Sequence, residues 1–267
     1  MTLGLTPEQQ QLSDAVGQFA SRHAPVAETR DNFEALAAGQ LPSWWDALVA
    51  NGFHAVHLPE HLGGQGGRLI DAACVLESAG KALLPGPLLP TVIAGAVALL
   101  ADATSAAEAF LRDLASGVPA AVVLADDGDF RARPDGQQWL VTGASDVVTG
   151  ACSARVILVG ARTEQGGVVW LPVDTGQSTA TVESVGGTDL VTDAGILRLA
   201  EYRAAGPAVL TGAGSGARCA HAFRRHRVHV GARRAPVLAA GDEPGGIDRA
   251  GESVGPASGP VDVQPAA

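Results

Sequence analysis

The most informative segment of the sequence is Gly52-Phe-His-Ala-Val-His-Leu-Pro-Glu-His-Leu-Gly-Gly-Gln-Gly66. Gly52 follows Asn51 at the end of an apolar helical pattern, as in a helix C-cap with left-handed backbone. A short extended segment comes next, and the closing glycines form a turn able to hold positive φ angles. The stretch therefore predicts an elbow that follows one helix and precedes another.

Helical patterns lie on both sides of this elbow. Upstream, Thr6 is an N-cap, Pro7 suits the first helical position, and Gln9 completes a capping box. A second upstream helix is expected over residues 44–49, capped by Ser43. Downstream, the spacing of apolar residues predicts three more helices. Their expected ranges are 69–82, 91–101 and 104–116, the last capped by Thr104.

After Gly117 the pattern changes to short β-rich runs with turn signals at Pro134-Asp-Gly136 and Gly166-Gly167. This spacing predicts antiparallel meanders in a small barrel or sandwich. The fold class is therefore α+β, with a helical N-terminal domain in residues 1–116 and a small antiparallel β-barrel domain in residues 117–210. The expected strands begin at Ala120, Trp139, Val156, Val168 and Ile196.

Residues 211–267 consist largely of Gly, Ala, Pro and Arg. Because such a stretch buries too little apolar area to offset its ordering entropy, we expect a disordered low-complexity tail, with one short helix near 217–227. Lys81 is the only lysine among 18 basic residues, as expected for a GC-rich gene. A frameshift near codon 212 would produce a tail of this composition, and a genuine short paralogue is the other explanation.

Composition and charge exclude several classes of protein. With 46% apolar residues and a net charge of −10, the chain is typical of ordinary globular proteins and unlike a general nucleic-acid binder. Cys74, Cys152 and Cys219 are widely separated, odd in number and without metal-ligand spacing, so neither a disulfide framework nor a zinc site is indicated. The N-terminus lacks a secretory signal, and the apolar run of residues 88–101 is too short to cross a membrane. We therefore expect a cytoplasmic protein that binds neither nucleic acid nor membrane.

The elbow resembles the G-F-x-x-[LIV]-x-x-P-E-x-x-G-G-x-G segment of the acyl-CoA dehydrogenase family. Asp113-Leu-Ala-Ser-Gly117 resembles the L-A-S-G that precedes the family's flavin-binding strand. The stretch from Trp139 to Val159 resembles its G-Y-x-L-N-G-x-K-x-[FW]-I-T-N-G segment, and residues 183–210 resemble the end of its middle domain. The resemblance spans roughly residues 4–210.

This resemblance implies FAD-dependent α,β-dehydrogenation of acyl-CoA thioesters, in the β-oxidation of fatty acids or sterol side chains. In the family a carboxylate removes the α-proton, the β-hydrogen leaves as hydride to the flavin, and an electron-transfer flavoprotein accepts the electrons. Four cofactor-binding residues follow from the match. Ala125 and Asp126 stand in the flavin loop, and Val147 and Thr149 occupy the first and last positions of the W-I-T segment.

The sequence also departs from the family pattern. The T-E-P-x-x-G-S-D loop is shortened to Ala125-Asp-Asp-Gly-Asp-Phe130 and lacks Thr and Ser donors, and Val147 removes an aromatic stacking face. No Arg-x-Gln-Phe-Gly follows residue 210, and the C-terminal bundle that carries the catalytic glutamate is not found. We therefore expect weakened FAD binding, a truncated chain that is inactive alone, and no assignable catalytic residue. The alternative is a non-catalytic partner subunit of a heteromeric acyl-CoA dehydrogenase.

An alternative of another class rests on Gly212-Ala-Gly-Ser-Gly-Ala217, which matches G-x-G-x-x-[GA] and would make the chain an NADP-binding protein. Too few residues follow this motif for a doubly wound sheet.

An adjacent cluster of arginines and histidines offers contacts to phosphates. Its members are Arg218, His221, Arg224, Arg225, His226, Arg227, His229, Arg233 and Arg234.

Two further groups of polar residues are candidate sites. His54, His57 and His61 lie close in sequence, but strand geometry would turn His54 and His57 to opposite faces, so we expect a surface or elbow role and no metal site. Asp126 and Asp127 offer an acid–base pair. Because adjacent residues point in opposite directions, a solvated loop is the better interpretation.

Overall fold

Helices come first in the chain and strands follow, in the residues that the computed structural model describes, which are 4–100, 104–186, 189 and 191–205. All of them belong to one compact unit. The helices are α1 (Pro7–His23), α2 (Val26–Asp31), α3 (Phe33–Ala37), α4 (Trp45–Ala50), α5 (Leu69–Lys81), α6 (Leu88–Ala98) and α7 (Ser105–Ala115). The strands are β1 (Ala120–Val123), β2 (Arg131–Asp135), β3 (Gln138–Thr149), β4 (Val156–Thr163), β5 (Val168–Asp174), β6 (Ala180–Ser184) and β7 (Ala194–Ala205).

The helix ends show which capping predictions are correct. In α1 the Gln9 backbone N–H donates to the Thr6 hydroxyl at 3.3 Å, and the Thr6 N–H donates to the Gln9 side chain at 3.1 Å. This capping box and the cap of α7, where Thr104 accepts from the Ala107 N–H at 3.1 Å, are confirmed. The Ser43 cap is wrong, because α4 begins one residue later, after Trp44, without a side-chain cap.

Helix α6 starts at Leu88, three residues before its predicted range, with Pro90 in its first turn. Proline is tolerated there because the first N–H groups of a helix have no intrahelical partner. None of the helices among the described residues is long and apolar enough to cross a membrane.

The α+β class is confirmed, and the strands form a curled sheet of mixed direction. Strand β4 pairs with β5 along one edge and with both β1 and the start of β2 along the other. The predicted antiparallel meander is correct for β2–β3 and β4–β5, but β1 and β2 run parallel to β4. Strands β1 and β2 pair with the same edge of β4, one after the other, and both run in the direction of β4. The parallel pairing follows from this shared direction, whereas strands of a meander would alternate in direction.

Three groups of buried side chains hold the chain together. One lies among the helices around Trp44, Trp45 and Leu48, and a second fills the interior of the curled sheet around Ile157 and Leu197. The third joins the two parts, since it contains residues of α6, α7, β1, β4 and β5. Helices α6 and α7 are therefore fixed against the sheet by apolar burial.

The predictions for the tail, including the 212–217 glycine motif and the arginine cluster, lie outside the described residues. The bounds of the three proposed domains stay a prediction.

Candidate flavin cleft

The elbow is a closed loop built on its own backbone. Gly52 has the left-handed conformation expected of the cap, with φ of 71°. The Gly66 N–H donates to the Leu58 carbonyl at 2.9 Å, which folds the glycine turn back on the preceding segment. Gly64 lies so close to Leu58 that a side chain could not fit. These contacts make the elbow a rigid link between α4 and α5.

Of the three histidines, His54 and His57 are internal parts of the elbow, whereas His61 is exposed, so a surface position is wrong for the first two. Residues 53–55 form a 3-10 turn, and both His54 and His57 are buried. The ring of His54 contacts the Ala115 carbonyl through Nε2 at 3.1 Å, whereas neither ring nitrogen of His57 has a hydrogen-bond partner of normal geometry among the described residues. Burial lowers the pKa of His57 to about 4, and the pKa of His54 is lowered for the same reason.

Metal and thiol chemistry have no support in the described part of the chain. It contains no group of three His, Cys, Asp or Glu side chains that could hold a metal ion. Burial and the nearby Asp193 carboxylate raise the pKa of Cys152. Because the thiolate is the reactive form, this half-buried cysteine is a packing residue.

A cleft of about 260 Å³ opens where α6, the end of β1 and the end of β3 meet. Its walls are mainly apolar, and its polar side chains are those of Asp127 and Thr149. Val147 is 57% exposed and Leu89 is 46% exposed, so two large apolar side chains of this cleft face outward. We call this feature the cleft; its lining residues are Leu89, Pro90, Ile93, Val122, Leu124, Asp127, Val147, Val148 and Thr149.

Two contacts fix the walls of the cleft relative to each other. The buried Thr91 hydroxyl of α6 accepts a hydrogen bond from the Ala120 N–H at 3.0 Å and donates to the Ala120 carbonyl at 3.3 Å. Gly150, at the end of β3, lies directly against the ring of Pro90. Helix α6 is thus held to β1 by hydrogen bonds and to β3 by close packing.

A buried aspartate shapes the turn that follows β3. Asp193 is 5% exposed and accepts hydrogen bonds from the Cys152 N–H at 2.7 Å and the Ser153 hydroxyl at 2.5 Å. Its carbonyl accepts from the Gly150 N–H at 2.7 Å. These hydrogen bonds fix the backbone directly after Thr149.

The structure brings together two of the four predicted cofactor residues. Val147 and Thr149 line the cleft, whereas Ala125 and Asp126 do not. Asp126 instead forms an ion pair with Arg162 on β4, and its neighbour Asp127 lines the cleft.

Sequence reasoning missed the α6 wall of the cleft. The available signal is the apolar run of residues 88–101, which by itself indicates only a buried helix. Its outward side, with Leu89 half exposed, forms that wall.

Comparison with known proteins agrees with this architecture. The sequence profile of the acyl-CoA dehydrogenase N-terminal domain matches residues 6–118. The acyl-CoA dehydrogenase IpdE2 of Mycobacterium tuberculosis is 37% identical over 158 residues, which cover 57% of this chain and 45% of that protein. The chain thus spans less than half the length of this relative.

Solved structures show the same fold. The ChsE4–ChsE5 complex from Mycobacterium tuberculosis matches with a TM-score of 0.73 and 21% identity, over 82% of this chain and 61% of that chain. A variant of the Tcur3481–Tcur3483 steroid ACAD matches with a TM-score of 0.67 and 25% identity, over 81% of this chain and 60% of that chain. The profile match shows that residues 6–118 form an acyl-CoA dehydrogenase N-terminal domain, and together with the shared fold it supports membership of the acyl-CoA dehydrogenase family.

Proposed function

We propose that this chain takes part in FAD-dependent α,β-dehydrogenation of an acyl-CoA thioester, with the flavin ring seated in the cleft. One observation carries the proposal. Val147 and Leu89 expose large apolar surface in a single cleft beside the Thr149 hydroxyl. Exposed apolar side chains that share a cleft mark a binding site, and a flat heteroaromatic ring with a polar edge suits these walls.

The residues that line the cleft can bind a flavin ring. They offer it fewer contacts than the family pattern does. Thr149 provides a hydroxyl that donates or accepts, and Val147 provides apolar contact without an aromatic face. Asp127 adds an acceptor to the same cleft. We therefore propose that FAD binds here with reduced affinity.

In the proposed reaction, this chain orients the flavin ring and encloses it on one side. When bound, the flavin supplies the hydride acceptor for the β-carbon of the thioester. Thr149 would hold the polar edge of the flavin ring, while Leu89, Pro90 and Ile93 would exclude water from one side of that ring. In the described part of the chain, Asp127 is the one carboxylate that lines the cleft.

We propose that the base for the α-proton comes from a second acyl-CoA dehydrogenase subunit, and that the present chain is inactive alone. Its similarity to the Tcur3481–Tcur3483 steroid ACAD and to the ChsE4–ChsE5 complex, both named as pairs, supports a heteromeric arrangement. By family resemblance, we propose that the substrate is a fatty acyl or sterol side-chain thioester. The proposed electron acceptor is an electron-transfer flavoprotein.

The test is to purify the chain alone and together with acyl-CoA dehydrogenase subunits of the same genome. Flavin that co-elutes is measured by visible absorbance, and turnover by acyl-CoA-dependent bleaching with an artificial electron acceptor. We expect little flavin on the chain alone and bound flavin with turnover in a complex. Thr149→Val should lower the flavin content of that complex, while Thr181→Val on the exposed face of β6 should not. Absence of flavin from every complex would refute the proposal, and so would a flavin-containing complex whose flavin content Thr149→Val leaves unchanged.

A further inference from the structure

Three arginines form a row on one face of the sheet. Arg131 of β2 is paired in register with Arg162 of β4 on one side and with Thr142 of β3 on the other. Arg133 lies two residues further along β2 and shares its face with Arg131, since side chains alternate along a strand. These residues line a groove of about 240 Å³. We call it the arginine groove, defined by Arg131, Arg133, Thr142, Arg162 and Glu164.

The arginine groove and the cleft lie on the same, outward face of β3. Val141 and Val148 both point into the interior of the sheet. Their neighbours therefore point outward: Thr142 into the arginine groove, and Val147 and Thr149 into the cleft. Thr142 is separated along β3 from Val147 by roughly 16 Å and from Thr149 by roughly 23 Å, at about 3.3 Å per residue. A dinucleotide is long enough to reach from one to the other.

The loop between β1 and β2 joins the two features. Asp126 forms an ion pair with Arg162 of the arginine groove, and the adjacent Asp127 lines the cleft. This loop is hydrogen-bonded to β3, since the Asp146 N–H donates to the Asp127 carbonyl at 2.8 Å. A ligand along the outward face of β3 would therefore pass beside this loop.

The guanidinium groups retain donors for a ligand. Arg131 pairs with Asp129 at 2.9 Å and Arg162 with Asp126, while Arg133 forms no ion pair within the described residues. Each guanidinium has five N–H donors, and one carboxylate uses at most two of them. Glu164 is the carboxylate in the lining of the groove itself. The planar donor fork matches phosphate oxygens, which makes phosphate groups the ligand chemistry that suits this groove.

We propose that the arginine groove binds the phosphate groups of the nucleotide ligand whose other end occupies the cleft. This inference rests on the proposed function. The loop from Ala125 to Phe130 carries no Ser or Thr hydroxyl, and Arg131 and Arg162 lie beside it, paired with its Asp129 and Asp126. FAD and acyl-CoA both carry a pyrophosphate, and the experiment distinguishes them.

The experiment compares ligands with and without phosphate at low ionic strength. FAD, riboflavin and CoA are titrated separately against the wild-type complex and against an Arg131→Gln, Arg133→Gln double variant. Arg198→Gln serves as the matched control, because Arg198 is an exposed arginine of β7 paired with Glu183. Arg131 and Arg133 are exposed, so the double variant should fold, which a thermal melt verifies.

We expect the double variant to bind FAD at least about tenfold more weakly, because the loss of even one charge-assisted hydrogen bond costs about 1.5 kcal/mol. Riboflavin affinity should not change, nor should Arg198→Gln weaken FAD. A tenfold loss confined to CoA would support the groove with CoA as the source of the phosphate. If riboflavin and FAD both fail to bind wild type, the proposed function fails, and the CoA titration still tests the groove. Equal binding of FAD and CoA by wild type and double variant would overturn the inference.

Discussion

Gly150 packs directly against the ring of Pro90, which joins the end of β3 to the first turn of α6. The contact requires glycine for two independent reasons. Its φ of 76° lies in the left-handed region, and any Cβ at this position would overlap the proline ring. The cleft therefore depends on a backbone contact between two parts of the chain that lie far apart in sequence.

Gly150→Ala should lower the free energy of unfolding by about 2–4 kcal/mol, from left-handed strain of about 1–2 kcal/mol and overpacking of a similar size. Gly166→Ala is the matched control, because Gly166 has φ of 78° and a Cβ added there would meet no atom within 4 Å. The control should lose only the strain contribution. Urea denaturation of both variants measures the difference, and equal losses would show that the Pro90 contact carries no energy.

Thr91→Val tests the other link between α6 and the sheet. The hydroxyl satisfies both backbone groups of Ala120 in a buried position, so an isosteric apolar side chain should lower the free energy of unfolding by about 1–3 kcal/mol. Thr91→Ser keeps the hydroxyl and should recover part of that loss. A Val variant as stable as wild type would show that solvent or neighbouring groups replace the bond.

Local signals predict five of the seven α-helices among the described residues, while α2 and α3 are not expected from the sequence. The capping box of Thr6 and Gln9 and the cap at Thr104 involve residues at most three apart, so the sequence contains the whole interaction. The same holds for Gly52, whose positive φ follows from helix termination. The elbow is therefore predictable in position, but the segment after Gly52, which the sequence predicts to be extended, forms a 3-10 turn.

Interactions between distant residues explain what the sequence alone does not reveal. Strand β2 reads Arg-Ala-Arg-Pro-Asp, a sequence without a β-rich run. Only Ala132 of its five residues is buried. Its place in the sheet comes from pairing with β3 and β4. The buried state of His57 likewise depends on α6, because Gly95 leaves room for the ring. In the cleft, Val147 and Thr149 follow from family resemblance, while Leu89 and Pro90 require the packing of α6 on the sheet.

The buried histidines make stability depend on pH. Burial, with a smaller contribution from the charge of His54, lowers the pKa of His57 from 6.5 to about 4 in the folded chain. Between these values the unfolded chain binds more protons than the folded chain, so the free energy of unfolding falls as pH falls from about 6.5 towards 4. The loss due to His57 is at most about 3 kcal/mol.

His57→Leu should remove that part of the pH dependence. At pH 7 the variant should be close to wild type in stability, because it deletes two unpaired ring nitrogens along with the imidazole. Urea denaturation at pH 7 and pH 5 provides the comparison, with His61→Leu as a control at an exposed position. If His57→Leu keeps the full pH dependence, His57 does not carry it.

Val147→Trp should strengthen flavin binding. Val147 is 57% exposed on the wall of the cleft, so a larger side chain fits there without displacing buried neighbours. An aromatic face against the flavin contributes about 0.5–1.5 kcal/mol beyond area burial, which corresponds to roughly twofold to tenfold tighter binding. Fluorescence titration with riboflavin measures the ring contact without the phosphates. Thr181→Trp places the same residue on β6, outside the cleft, and should leave the affinity unchanged. Equal affinities for wild type and Val147→Trp would mean that the flavin ring does not lie against residue 147.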